Sequence, residues 1–333
     1  MDFLTANGIN WIVSIQSLGG WLEMPMRFFT FLGSENFFFL VLPLIYWSLD
    51  AALGLRVAMI LVTSNALNAI MKLAFASPRP FWVSDHIQPL TVETSFGVPS
   101  GHSQNAVAMW GIMADGSRKR WAWGFVVLLA FLIGLSRLYL GVHFVQDVIW
   151  GWLIGGILLW AFLRFWDATA TWLHSQTLLQ QILIAFVASV LVLFFGVWSV
   201  GRLHGFAFPE EWVANALRAG AQPNPVSIED FFTIAGTLFG LGAGAAWITS
   251  RGGFDTSGPV EKRALRYVLG LIGILVLWMG LGQVFPRDEN TISYILRYSR
   301  YMLVGIWITA GAPWLFFHFK LARNPKMQVS RLL

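Results

Sequence analysis

The chain has 333 residues, of which 56% are hydrophobic and only 12% are charged, and it contains 18 tryptophans. This composition excludes an ordinary water-soluble domain and is typical of a protein that is solvated by lipid. The net charge of +5 comes from basic residues spread between apolar segments, so we attribute it to asymmetric membrane insertion and expect no nucleic-acid partner. Since cysteine is absent, disulfides and thiolate metal ligands are also excluded.

The apolar segments are close in length to the roughly 20 residues that cross a bilayer. Residues 3–30 are amphipathic and aromatic, so we expect a helix that lies on the membrane surface. No basic residue precedes Arg27, and we therefore expect no cleaved signal peptide. The predicted fold class is all-α, a polytopic membrane helical bundle forming a single membrane domain over 1–333. In chain order we predict about nine transmembrane helices, at 34–49, 53–74, 101–116, 121–138, 144–165, 178–200, 229–249, 266–285 and 299–319.

The positions of Lys and Arg predict the orientation of these helices. Thirteen basic residues fall on one side of the predicted bundle and nine on the other. The side that is richer in basic residues is expected to be cytoplasmic. The N-terminus is then outside and the C-terminus is in the cytoplasm. The three polar segments described next all fall on the extracytoplasmic face.

The first polar segment, Lys72 to Pro80 (KLAFASPRP), ends the second predicted span. Arg79 lies between Pro78 and Pro80, which disfavour helix and hold it on an extended backbone. An ammonium group and a guanidinium fork suit phosphate oxygens. Taken alone, the pattern also fits cations that snorkel to the membrane interface.

The second polar segment, Pro99 to His102 (PSGH), opens the third predicted span. Ser100 is a natural N-cap, and Gly101 allows close approach of the backbone at a helix start. Exposed N–H groups at such a start bind anions, and His102 would project beside the bound group. An ordinary capped helix is the alternative interpretation.

The third polar segment, Ser136 to Asp147 (SRLYLGVHFVQD), joins the fourth and fifth predicted spans. Arg137 adds a cation, and Gly141 permits a turn. His143 and Asp147 are four residues apart at a helix start, which places them on one face. A carboxylate bound to one imidazole nitrogen fixes the tautomer and leaves the other nitrogen free to attack. A purely structural His–Asp pair is the alternative.

Together the three segments resemble the tripartite signature of the type-2 phosphatidic acid phosphatase and vanadium haloperoxidase superfamily, K-x6-RP, PSGH and SR-x5-H-x3-D. The resemblance covers residues 34–166, the expected phosphatase core, and leaves 178–320 as additional C-terminal spans without a motif. It implies a phosphatase that needs no metal and no cofactor.

The resemblance also implies a role for each residue. His143 attacks phosphorus and becomes a phosphohistidine, Asp147 orients it, and His102 protonates the leaving group and later activates water. The remaining members stabilise charge on the phosphoryl oxygens. These phosphate-binding residues are Lys72, Arg79, Ser100, Gly101 and Arg137.

The motifs predict phosphoester chemistry but not the substrate. We expect a phosphorylated lipid: phosphatidate, phosphatidylglycerol phosphate, isoprenyl pyrophosphate or a sphingoid phosphate. The segments Arg79 to Trp82 (RPFW) and Glu93 to His102 (ETSFGVPSGH) are similar to glucose-6-phosphatase, which makes a sugar phosphate the main alternative. Phosphotransfer to another acceptor, haloperoxidase-like vanadate chemistry and a non-catalytic transporter or scaffold are further alternatives. The oligomeric state is left open.

Other polar residues are expected to have lesser roles. We expect Asp85, His86, Glu93 and Thr94, in the 81–98 loop, to be solvated, with substrate entry as the alternative. Three polar residues in the loop 201–228 are also expected to lie on the surface. Two asparagines inside the second span are expected to contribute to helix packing. The loop residues are His204, Glu210 and Glu211, and the asparagines are Asn65 and Asn68.

Overall fold

The computed structural model describes residues 3–323, in which helices are joined mainly by short loops. Three of the helices, α3, α12 and α14, continue into π-helical turns at Ile45–Leu49, Val276–Gly280 and Trp307–Gly311. Within residues 3–323 the β-type pairing is limited to an isolated antiparallel bridge between Asp255 and Arg323. The α-helices are α1 (Phe3–Gln16), α2 (Glu23–Leu32), α3 (Glu35–Leu44), α4 (Ala51–Phe75), α5 (Pro80–Val83), α6 (Gly101–Ser117), α7 (Arg120–Tyr139), α8 (Val145–His174), α9 (Leu178–Arg202), α10 (Glu210–Arg218), α11 (Glu229–Ser250), α12 (Val260–Leu275), α13 (Leu281–Val284), α14 (Thr291–Ile306) and α15 (Ala312–His318).

Seven helical segments of the described chain are long and apolar enough to cross a membrane. The pair Gly20–Leu32 and Glu35–Leu49, bent by 52°, raises the number to eight if it is one broken span. The all-α polytopic class is therefore confirmed, but the predicted count of nine is not. The third predicted span corresponds to α6, which has 17 residues and carries polar side chains in its first turns. The seven segments are Ala51–Val83, Arg120–Tyr139, Val145–His174, Leu178–Arg202, Glu229–Ser250, Val260–Val284 and Thr291–His318.

The N-terminal segment forms two helices rather than the single surface helix that was predicted. A 3₁₀ turn at Gly20–Leu22 lies between α1 and α2. Helix α2 packs against α7, while Trp21 and Met24 remain 74% and 75% exposed. The exposed side chains suit a lipid environment, and the placement of this segment on the membrane surface stays a prediction.

The chain divides into two compact units. The first comprises the described residues up to Phe38 together with Ser64–Phe162 and Gly196–Ser227. The second comprises Phe39–Thr63, Leu163–Phe195 and the described residues from Ile228 onward. All residues of the three sequence motifs belong to the first unit.

In the first unit, a polar layer joins α4 to α6. Asn68 donates to the side chain of Gln104 at 2.9 Å, and Ser64 donates to the side chain of Asn105 at 2.6 Å. Asn105 in turn donates to Asn65 at 3.1 Å, which confirms the predicted packing role of Asn65 and Asn68. These bonds fix the end of α4, with Lys72, beside the start of α6, with His102.

Helix α8 lies close against α6 in the same unit. A Cβ atom on Gly151 would lie 2.6 Å from the carbonyl oxygen of Ser100, and one on Gly155 would lie 2.5 Å from that of Gln104. Both positions therefore need a residue without a side chain. The close contact holds the His143–Asp147 segment against the PSGH segment, and the Ser100 N–H donates to the Asp147 carbonyl at 2.9 Å.

In the second unit, α11 and α14 form the most extensive helix pair. Gly236 and Gly240 of α11 lie against the backbone carbonyls of Tyr298 and Met302, where a Cβ atom would clash. A separate apolar cluster surrounds Trp47, whose indole N–H donates to the Ile308 carbonyl at 2.8 Å. Small residues at helix contacts and satisfied indole groups are typical of packed membrane helices.

Candidate active site

The site is built around the turn between α7 and α8. Gly141 adopts φ +72°, a left-handed conformation that favours glycine, and the predicted turn is therefore present. His143 follows two residues later and is 1% exposed. Its Nδ1 lies 3.1 Å from Oδ2 of Asp147, as the spacing of four residues predicted. The same oxygen accepts the Phe144 N–H at 2.9 Å, so the carboxylate is held from two sides.

The hydrogen bonds of His143 determine its tautomer. Nε2 lies 3.2 Å from Nη1 of Arg79. Because a guanidinium group can only donate, Nε2 is the acceptor, and Nδ1 carries the proton that is donated to Asp147. Burial, together with the charges of Arg79 and Arg137, lowers the pKa of His143 well below 6.5. The imidazole is therefore neutral, with the lone pair on Nε2 turned toward the cations.

Arg79 is fully buried and has an extended backbone before α5, as its two flanking prolines predicted. All five of its N–H donors are used within the protein. Three go to the backbone carbonyls of Ser95, Phe96 and Val142, at 2.6, 3.2 and 3.0 Å. The other two reach Nε2 of His143 and Oγ of Ser95, at 3.2 and 3.1 Å. Only these last two can be exchanged for phosphate oxygens without uncovering a buried carbonyl.

Ser95 links the two cations of the first motif. Its Oγ accepts from Nζ of Lys72 at 2.7 Å and from Nη2 of Arg79 at 3.1 Å. An oxygen that accepts from both cations occupies a place that suits a phosphoryl oxygen. The sequence analysis did not single out Ser95, because a serine within a loop carries no pattern of its own.

Arg137 completes the cationic set and is 2% exposed. Its Nη1 donates to Oγ1 of Thr30 at 2.6 Å, and its Nη2 donates to Glu93. Its Nε is buried without a hydrogen-bond partner. A buried donor without a partner costs free energy, so Arg137 retains capacity to bind a further anion.

Glu93 is the main departure from the sequence-based expectation of a solvated loop. Its carboxylate pairs with Arg137 and lies 3.6 Å from Nη2 of Arg79. Burial by itself would raise the pKa of Glu93, but the charges of Arg79 and Arg137 outweigh it and lower the pKa below its usual range. The expectation is correct for Asp85 and His86, whose side chains are 62% and 83% exposed. The one sequence signal at Glu93 was the similarity of the segment ETSFGVPSGH to glucose-6-phosphatase, and this similarity did not indicate a contact with the arginines.

The second motif forms the start of α6. Ser100 is the N-cap residue, as predicted, and its Oγ accepts the Ser103 N–H at 3.4 Å and the Ser103 hydroxyl at 3.0 Å. A Cβ atom on Gly101 would lie 3.2 Å from Oδ1 of Asn68, so a larger residue would press on this side chain. His102 follows in the first turn and interacts electrostatically with Arg137, Glu93 and Lys72. The eight predicted site residues therefore all lie in the first unit, around the same group of charges.

A second layer covers the loop that carries Glu93. Asn215 of α10 donates to the Trp82 carbonyl at 2.9 Å, and the Asn224 N–H donates to the Thr94 carbonyl at 3.1 Å. Phe206 and Phe208 pack on the fully buried ring of Phe96. The segment 201–227 thus holds the 81–98 loop in place. The predicted surface positions of His204, Glu210 and Glu211 are confirmed, since all three are exposed.

Histidine and acidic side chains were also considered as metal ligands. Among residues 3–323 no three of them are grouped so that they could hold a metal ion. The site as described is a set of buried cations around a neutral histidine. Such a set suits the stabilisation and in-line attack of a phosphoryl group.

Two regions of the chain match known protein families. Residues 53–171 match the family described as "PAP2 superfamily", and residues 232–324 match the family described as "PAP2 superfamily phosphatase, transmembrane extension". The chain belongs to the PAP2 superfamily and is an integral membrane phosphatase. The segment that covers the Glu93 loop, 201–227, lies between the two matched regions.

Individual relatives show how far the similarity extends. The chain is 32% identical over 154 residues to phosphatidylglycerophosphatase B of Bacillus subtilis, covering 41% of this chain and 72% of the relative. It is 26% identical to human glucose-6-phosphatase 3 over 99% of this chain and all of the relative. The crystal structure of a PAP2-type phosphatidylglycerolphosphate phosphatase from Bacillus subtilis aligns with a TM-score of 0.40 and 27% identity, covering 48% of this chain and 86% of that one.

Proposed function

We propose that this protein hydrolyses the phosphomonoester or pyrophosphate of a membrane lipid through a phosphohistidine at His143. The observation that supports it is the arrangement of His143 between Asp147 and Arg79. One ring nitrogen is fixed by a carboxylate, and the other directs its lone pair toward the phosphate-binding cations. This is the arrangement that an activated nucleophile requires.

In the first step, the Nε2 lone pair forms a bond to phosphorus while the bond from phosphorus to the ester oxygen breaks. His102 takes up a proton from solution as the anionic substrate binds, and it gives this proton to the departing alkoxide. The positive charge that develops on the His143 ring is stabilised by Asp147 through the Nδ1 hydrogen bond. Lys72, Arg79 and Arg137 stabilise the oxygens of the transferring phosphoryl group.

In the second step, water attacks the phosphohistidine. His102, now neutral, accepts a proton from this water as the oxygen bonds to phosphorus. The bond between phosphorus and Nε2 breaks, and inorganic phosphate leaves. His102 ends protonated and His143 ends neutral, which restores the starting state.

Substrate binding must rearrange the charges seen in the free site. Phosphate oxygens have to replace the carboxylate of Glu93 on Arg137 and the two exchangeable contacts of Arg79. The N–H groups at the start of α6, near Ser100 and Gly101, are further donors for these oxygens. The role of Glu93 in this step is addressed by a prediction below.

A lipid substrate is supported by the location of the site residues on apolar helices. Lys72 and Arg137 lie in the last turns of α4 and α7, and Asp147 lies in the first turn of α8. The ends of membrane-spanning helices lie at the depth of lipid headgroups. The similarity to phosphatidylglycerophosphatase B is consistent with such a substrate. We place this face outside the cytoplasm, following the distribution of Lys and Arg.

A sugar phosphate is the second candidate, and one observation favours it. The similarity to glucose-6-phosphatase 3 covers 99% of this chain, whereas the similarity to the lipid phosphatase covers 41%. The later helices are therefore shared with a relative named for a soluble substrate.

The deciding experiment measures phosphate release by the purified full-length protein in detergent. The substrates are phosphatidate, phosphatidylglycerol phosphate, isoprenyl pyrophosphate, sphingoid phosphate and glucose 6-phosphate. His143→Asn is the control, because asparagine keeps a donor for Asp147 but cannot form a phosphohistidine. Release from lipids that the variant loses supports the proposal. Selective release from glucose 6-phosphate would favour the second candidate, and no release from any substrate would favour phosphotransfer or a non-catalytic role.

A further inference from the structure

The second unit contains a pocket of about 390 Å³ between the end of α13 and the first half of α14. Three arginines line it, Arg287, Arg297 and Arg300. Among its described lining residues none is acidic. The site proposed for hydrolysis uses none of these residues.

The pocket has donors that the protein leaves without partners. Nε of Arg300 is buried and has no hydrogen-bond partner. The hydroxyl of Ser293, which also lines the pocket, is buried without a partner, and this residue is 4% exposed. Leaving such buried groups unpaired costs free energy. A ligand that accepts hydrogen bonds would recover this cost.

The start of α14 adds a further attraction for anions. Asn290 caps this helix of 16 residues by accepting the Ser293 N–H at 2.9 Å. The positive end of the helix dipole therefore lies at Ser293, next to the pocket. Together with the unpartnered Ser293 hydroxyl, it indicates a ligand with negatively charged oxygens.

The charges near the pocket set how strongly an anion is attracted. Arg297 is paired with Glu229 at the start of α11, so part of its charge is neutralised. Arg287 donates to the Gly282 carbonyl at 3.2 Å. A Cβ atom on Gly282 would lie 2.6 Å from Nη1 of Arg300, so glycine leaves room for this guanidinium. Arg287 and Arg300 thus carry the charge that no described lining carboxylate offsets.

Aromatic side chains form another part of the same wall. The Trp278 N–H donates to the Tyr301 hydroxyl at 3.3 Å, and the guanidinium of Arg300 lies 4.9 Å from the centre of the Tyr301 ring. Trp278 is 41% exposed. Aromatic and basic side chains at the ends of membrane helices are typical of the headgroup region.

We propose that this pocket binds a phosphate group, through Arg287, Arg300 and the hydroxyl of Ser293. The group comes either from the headgroup of an anionic phospholipid or from free phosphate in the aqueous phase. Both sources present the same negatively charged oxygens, so the chemistry of the pocket suits each of them.

The test uses native mass spectrometry of the purified full-length protein, delipidated and then titrated with phosphatidylglycerol. This lipid is a phosphodiester, so a phosphomonoesterase does not consume it. We expect one tightly bound lipid per chain and no equivalent binding of zwitterionic phosphatidylcholine. In the double variant R287Q/R300Q, the affinity should fall roughly tenfold or more, as expected for the loss of charged hydrogen bonds. Ser293→Ala should weaken binding less.

Two further variants distinguish a loss of lipid contacts from a loss of folding. Arg164→Gln removes one positive charge elsewhere in the second unit and should bind phosphatidylglycerol like the wild type. Glu229→Gln should strengthen binding, because it releases Arg297 from its ion pair. Phosphate hydrolysis by all of these variants should match the wild type, which separates this proposal from the proposed function.

The source of the phosphate group is distinguished by competition. If millimolar inorganic phosphate displaces the lipid from the wild type, and R287Q/R300Q weakens both ligands, the pocket is a site for free phosphate. If phosphate does not displace it, the pocket is a site for a lipid headgroup. Equal retention of phosphatidylglycerol by the wild type and R287Q/R300Q, or weaker binding by Glu229→Gln, would overturn the proposal.

Discussion

Glu93 lies between two buried guanidinium groups, at a place where the proposed reaction requires phosphate oxygens. Its two carboxylate oxygens imitate part of a phosphoryl group. Because the pKa of Glu93 is lowered, the carboxylate stays charged well into acidic pH. In the proposed reaction, the substrate must therefore displace an internal anion.

Substitution of Glu93 tests this competition. Glu93→Gln keeps the shape of the side chain but removes the charge, so vanadate should inhibit roughly tenfold more tightly, by the loss of one strong charged interaction that competes for Arg137. The inhibition constant for vanadate, measured at pH 7, checks this. Asp85→Asn, in the same loop but exposed, should leave it unchanged. Weaker inhibition of Glu93→Gln would show instead that Glu93 positions the arginines.

His143 determines the expected pH dependence. Its attack requires the neutral ring, and burial together with the neighbouring cations lowers its pKa well below 6.5. As the pH falls from 7, His143 therefore remains neutral past the point at which an ordinary histidine becomes protonated. The acidic limb of kcat/KM that reports this residue should lie clearly below pH 6.5. An acidic limb at or above 6.5 would contradict the assignment of a neutral, buried nucleophile.

If His102 is the general acid, the effect of removing it should depend on the leaving group of the substrate. Removal of a general acid slows the departure of a poor leaving group by on the order of 10² to 10⁴-fold. His102→Ala should therefore reduce hydrolysis of an alkyl phosphate far more than hydrolysis of p-nitrophenyl phosphate, whose phenolate leaves without a proton. Steady-state rates on both substrates measure the difference. Equal losses would argue against an acid role.

At the scale of elements, the site depends on two helix contacts, α4 with α6 and α8 with α6, and on one covering segment. The polar layer between α4 and α6 and the glycines of α8 bring the motifs together. Helix α10 packs against α5, and Asn215 of α10 donates a hydrogen bond to the Trp82 carbonyl of α5. The loop that carries Glu93 is consequently held by a segment outside the three motifs, which has no motif of its own.

Asn215→Ala tests how much the hydrogen bond between Asn215 and the Trp82 carbonyl contributes to stability. The change removes the bond to the buried Trp82 carbonyl and a partner of Arg218, and it should destabilise the protein by about 1–3 kcal/mol. Thermal unfolding of the purified protein in detergent should show a lower midpoint. Glu211→Ala, at an exposed position of α10, is the matched control and should unfold like the wild type. An unchanged midpoint for Asn215→Ala would mean that α10 is not needed to hold the loop.

At the scale of the whole molecule, the orientation in the membrane can be measured directly. The chain has no cysteine, so a single introduced cysteine is the one thiol in the protein that a maleimide can label. A membrane-impermeant maleimide applied to intact cells should label Gln222→Cys, whose loop is predicted to lie outside. Ser257→Cys, in a loop predicted to be cytoplasmic, should react only after permeabilisation. The reverse pattern would place the active site on the cytoplasmic face.

The sequence was sufficient for the class of the fold, and the eight residues that it proposed for the site lie together in the first unit. Apolar segments of bilayer length predicted the helices, because hydropathy is a local property. The helix predicted at 101–116 is present as α6 (Gly101–Ser117), but its crossing of the membrane stays a prediction, since polar Gln104 and Asn105 are buried within it. Their hydrogen bonds to α4 are tertiary contacts, which no local pattern reveals.

The amino-acid sequence by itself determined which residues were proposed for the site: a histidine and an aspartate four residues apart, a second histidine after a capped glycine, and cations at helix ends. Each signal is carried by residue type and short spacing, which are readable along the chain. Only the tertiary structure decided that Arg79 uses most of its donors on backbone carbonyls, that Ser95 joins it to Lys72, and that Glu93 occupies the cationic site. The physical reason is that these contacts join residues distant in sequence, and their partners are set by packing rather than by spacing.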